Sequence, residues 1–123
     1  MGIRLIKISV VYFMIGVLFG LYMSMTHDYS FTPVHAHINL LGWTALTLAG
    51  IIYHLFPAVS QTKLAKAHFW LHNIGLPLMM IGLFYLISSG NEGIIPVIAA
   101  AGVLTTLAVL LFGYNVLTKL KAE

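Results

Sequence analysis

Four long apolar stretches, separated only by short polar connectors, leave this chain little choice of fold. Crossing the hydrocarbon core of a bilayer takes about 20 predominantly apolar residues. Such stretches run from about Leu5 to Met25, Pro33 to Phe56, Leu64 to Ser88 and Ile94 to Leu117. They are too long for strands and lack strict alternation, so each reads as a helix. Composition agrees: 60% of the 123 residues are hydrophobic and 7% are charged. A soluble domain carries roughly 25% charged residues, enough to cover a water-facing surface. The expected fold is therefore all-α, an integral membrane four-helix bundle forming one domain over residues 1–123.

Local signals mark the helix ends. Pro33 suits a first helical turn, with Thr32 behind it as a candidate cap. Pro57 ends the second helix, Pro96 falls in the first turn of the fourth, and Pro77 predicts a kink inside the third. The connectors are His27 to Thr32, Ala58 to Lys63 and Ser89 to Gly93. No linker, low-complexity tract or clear repeat interrupts the pattern. The first apolar run is longer than a signal-peptide core and has no small-x-small cleavage site after it.

Lysine and arginine placement sets the expected orientation. Arg4 and Lys7 open the first helix, Lys63 and Lys66 flank the second connector, and Lys119 and Lys121 close the chain. The other two connectors hold Asp28 and Glu92 instead. All six basic residues thus fall on one side, which places both termini in the cytoplasm and the protein in the inner (cytoplasmic) membrane. The net charge of +3 is small and confined to connectors and tails. It indicates membrane orientation and not a nucleic-acid partner.

The chain has no cysteine. Disulfides, thiolate metal sites, iron–sulfur clusters and covalently attached c-type haem are excluded. No carboxylate lies within a span, which argues against a carboxylate-driven pump. The ionisable groups that do enter the spans are histidines, and such residues mark functional sites by default. His27, His35 and His37 fall toward the outer face; His54, His68 and His72 fall toward the cytoplasmic face. His27 reads as a solvated connector residue, and His54 and His68 as interfacial. His72 lies two turns into the third helix and shares a face with His68 at i, i+4, a spacing that suits one metal or one polar cleft.

His35 and His37 form the tightest motif, Thr32-Pro33-Val34-His35-Ala36-His37-Ile38-Asn39-Leu40-Leu41-Gly42-Trp43. Residues i and i+2 of a helix point about 200° apart. The two rings therefore serve sites on opposite flanks of the helix instead of gripping one ion. Imidazole is a good ligand for haem iron and for copper. Met23, Met25 and His27 form a softer Met-x-Met-x-His stretch suited to Cu(I) or simply to packing. Gly16 and Gly20 permit close helix contact. Asn39, Asn73 and Asn115 are candidates for hydrogen bonds between helices, and Trp43 and Trp70 for packing or interface anchoring.

The segment from His35 to Trp43 resembles the histidine-bearing helices of haem–copper oxidase subunit I, and the chain looks most like small four-helix proteins grouped with that superfamily. It is also similar to the His-Ala-His-Glu opening of nitric-oxide-response haem–copper membrane proteins. The resemblance implies that the chain corresponds to one third of the twelve-helix oxidase subunit, and that His35 and His37 are haem ligands on opposite flanks. Three copies would restore twelve helices in a closed homotrimer. Its implied function is a membrane b-type haem protein for electron transfer or for nitric oxide or oxygen binding, with a quinol or another redox partner. An oxidoreductase of the haem–copper oxidase or nitric oxide reductase type is the corresponding enzyme class. Two other readings stand beside it. One is a copper carrier or oxidase assembly factor using His35, His37, Met23, Met25 and His27, with His54, His68 and His72 as further metal candidates. The other is a non-catalytic membrane subunit whose histidines only join helices.

Overall fold

A computed structural model describes residues 1–122; Glu123, one of the three acids, lies outside the described residues. Four helices are each long and apolar enough to cross a membrane: α1 (Gly2–Thr26), α2 (Thr32–Leu55), α3 (Lys63–Ser89) and α4 (Glu92–Lys119). No strand occurs among the described residues. The chain is a multi-pass helical membrane protein. Its apolar side chains point outward as well as inward, Leu117 being 85% exposed, as a lipid solvent permits.

The helix ends have local causes. Thr62 caps α3, its hydroxyl accepting from the Ala65 N–H at 3.0 Å. Gly90 ends α3 in the left-handed conformation at φ 71°, which glycine adopts without a Cβ penalty. His27 ends α1 in the same conformation at φ 54° and has no such freedom. Thr32 does not cap α2 as expected. It lies inside the first turn, behind Phe31, and its hydroxyl donates backward to the Tyr29 carbonyl at 2.6 Å. Pro77 sits inside an α3 that continues to Ser89. In the connector between α1 and α2, the Ser30 hydroxyl and amide donate to Asp28 and hold its carboxyl below the usual range.

Helix α2 is not uniformly wound. Thr32–His37 and Ala45–Leu55 are α-helical, but Ile38–Thr44 between them is a π-helix, with the Ala45 N–H bonding the Leu40 carbonyl five residues back. This widened stretch begins one residue after His37.

The tightest pairings are α1 on α2 and α3 on α4. Glycines allow the first. A Cβ at Gly16 would collide with the Asn39 carboxamide, one at Gly20 would lie 2.9 Å from His35 Cε1, and one at Gly42 would enter the Tyr12 ring. The Gly-x-x-x-Gly of α1 is thus a notch filled by Asn39 and His35 of α2. On α3, Gly75 lets Thr105 of α4 approach in the same way.

Two apolar clusters fill the interior. At the basic end, Leu5, Leu46, Ala49, Tyr53, Val59 and Ala65 are buried together. Toward the opposite end, Val34, Ile38, Leu76 and Met80 form the second. A polar clasp locks the basic end. Asn115 donates to the Val59 carbonyl at 2.9 Å and accepts from the Thr62 hydroxyl at 3.1 Å, tying α4 to the connector between α2 and α3.

Candidate functional site

A cavity of about 720 Å³ opens between α2, α3 and α4. Known small-molecule and cofactor sites fall within about 300–1,000 Å³. Its α2 wall is His37 and Leu41, its α3 wall is Met79, and α4 supplies Gly102, Val103 and Thr106 among others. The lining is almost wholly apolar, and His37 is the one histidine in it.

His37 is set up by its own helix turn. Its Nδ1–H donates to the Pro33 carbonyl four residues earlier, at 2.6 Å. Pro33 sits in the first turn of α2, where carbonyls face the following turn. This bond fixes the tautomer and leaves Nε2 with a bare lone pair. A metal-binding histidine commonly donates its other ring nitrogen to a carbonyl in just this manner, which orients the ring and raises its basicity.

His35 turns to the other flank, as the i, i+2 spacing requires. Its ring is half-buried over Gly20, and Asn39 Nδ2 lies 3.3 Å from its Nδ1 and 3.4 Å from its Nε2. Gly20 of α1 and the Asn39 carboxamide thus flank this imidazole.

His68 and His72 are buried within the bundle, 2% and 1% exposed, with ring centres 5.3 Å apart. His68 points inward because the Tyr53 hydroxyl reaches its Nδ1 at 2.7 Å and Phe112 covers its ring. His72 Nε2–H donates to the Leu41 carbonyl at 3.0 Å, while its Nδ1 is buried without a partner. The i, i+4 spacing was visible in the sequence; Tyr53 and the Leu41 carbonyl were not, since both come from α2. His54 and His27 are exposed and lie apart from the cavity.

Among the described residues, no three histidine or acidic side chains gather as a metal-binding group. Met23 is buried and Met25 is 73% exposed, so the Met-x-Met pair does not present two thioethers to one point.

The profile of the family described as cytochrome c and quinol oxidase polypeptide I matches residues 3–93, well over half of the chain. The chain belongs to that family. The match runs through α1, α2 and α3 and so includes His35, His37 and the buried histidine pair. A cbb3-type cytochrome c oxidase subunit, CcoN1 of Stutzerimonas stutzeri, is 33% identical over 67 residues. That stretch covers 50% of this chain and 14% of the relative. No solved structure matches. The chain thus matches a small part of that relative's length, and its cavity carries one oriented imidazole.

Proposed function

We propose that the chain is a membrane b-type haem protein in which His37 supplies an axial ligand. The observation that carries this reading is the His37 imidazole itself: Nδ1–H tied to the Pro33 carbonyl, with Nε2 bare at the wall of an apolar cavity of about 720 Å³. Membership of the oxidase polypeptide I family and the likeness to a cbb3-type subunit support it. The small residue Gly102 and the flexible Met79 give the cavity room for a flat ligand. The group, when bound, supplies reversible one-electron chemistry and an iron site for a diatomic ligand.

The chain's own residues do the rest. Pro33 holds the ligand tautomer, the apolar walls exclude water, and the Gly16–Gly20 notch fixes α2 against α1. His37 would be the chain's one histidine ligand in the cavity, and the bound group would supply a site for nitric oxide or oxygen. His35 is a notch residue in this reading, not a second ligand. The open side of the cavity is covered by a second copy of the chain in a ring of three, within the inner membrane and with both termini cytoplasmic. Copper gains no support from the arrangement of Met23, Met25 and His27.

Haem titration of purified protein tests the reading. One equivalent should bind per chain, with carbon monoxide shifting the Soret band of the reduced form. Loss of neither in His37→Ala would refute it.

A further inference from the structure

The only π winding among the described residues is Ile38–Thr44, and it adjoins the proposed ligand. A π-turn encloses one residue more than an α-turn. Rewinding it to α would rotate everything before it by about one residue, ~100° about the axis. His37 would then leave the cavity wall. Something must hold the stretch open, because π winding is rare and appears mostly as single turns inside α-helices.

His72 is placed to do so. It comes from a different helix, α3, and its Nε2–H reaches the Leu41 carbonyl in the middle of the π stretch at 3.0 Å. Leu41 is itself on the cavity wall beside His37. The imidazole is 1% exposed, and its Nδ1 has no partner. A buried polar atom without a partner is costly, so a position needed only for packing would favour an apolar residue. The one bond His72 makes goes to the backbone that sets the direction of His37.

We propose that His72 is a positioning residue: by holding the Leu41 carbonyl it keeps α2 π-wound and aims His37 into the cavity. The spectroscopic arm of its test rests on the haem reading above; the register arm does not. The full chain lacks cysteine, so a single spin label on Leu40→Cys, at a site 63% exposed, reports which way this turn faces. The label's oxygen accessibility is measured without haem, and the iron–histidine stretching band is measured with haem, in four proteins: unchanged at position 72, His72→Phe, His72→Asn and His72→Gln. Glutamine keeps a donor at the reach of Nε2, whereas asparagine falls short of Leu41, so the test survives if His72→Phe does not fold.

The expected result is a clear fall in accessibility and loss of the iron–histidine band in the Phe and Asn variants. Gln should restore both. Unchanged label and band in Phe and Asn would overturn the proposal. So would a shift that Gln fails to rescue, which marks general packing, or a label shift with the band intact. A protein that stays colourless in every variant, yet shows the label shift with Gln rescue, would sink the haem reading and leave the role in helix register standing.

Discussion

His35 and His37 are two residues apart and meet different surroundings. The helix turns them to opposite flanks, so one meets Gly20 and Asn39 while the other meets the cavity. Their substitutions should therefore separate. His37→Ala should lose the haem absorption of the reconstituted protein while keeping its helical circular dichroism. His35→Ala should keep most of that absorption and instead lower the thermal midpoint, since it vacates the notch on α1. Equal loss of absorption in both would show that both are ligands. The divergence of the two rings was legible from the spacing alone. Which of them is free was not, because that depends on Gly20 of α1 and on a bond to Pro33. The burial of His68 was hidden for the same kind of reason. Proximity to Lys66 indicated the level in the membrane, but Tyr53 decides which way the ring points.

At the scale of elements, the four helices follow from hydropathy, and their observed limits lie within a few residues of the apolar runs. Two features escaped. The π stretch of α2 leaves no mark in a hydrophobic pattern. The Gly-x-x-x-Gly of α1 was visible, but not the side chains it receives. Helix ends offer two direct tests. His27 holds a left-handed conformation at φ 54° that costs a residue with a Cβ about 1 kcal/mol. His27→Gly should raise stability by up to that amount in a reversible denaturation series. Asn115→Leu should act the other way. It removes both bonds by which α4 holds the connector while leaving the Thr62 hydroxyl to donate to the Val59 carbonyl at 3.1 Å, a loss of about 0.5–1.5 kcal/mol per bond, readable as a lower midpoint in the same series.

For the whole molecule, α1 pairs with α2 and α3 with α4, leaving the cavity open along one side. In the proposed ring of three a second copy covers it, and native mass spectrometry in mild detergent should then find three chains. Only monomers would contradict the ring while leaving the single-chain site intact. The family follows from the match over residues 3–93, and the short stretch shared with a cbb3-type subunit locates the likeness in part of a much longer protein. The central claim is that His37 binds haem iron. The most direct measurement is the oxidised and reduced absorption spectrum of the protein purified from haem-replete cells. A Soret band that shifts on reduction and again on carbon monoxide addition, and is absent in His37→Ala, is the result expected. A protein that remains colourless after added haem, or a His37→Ala variant with the unchanged spectrum, would contradict it.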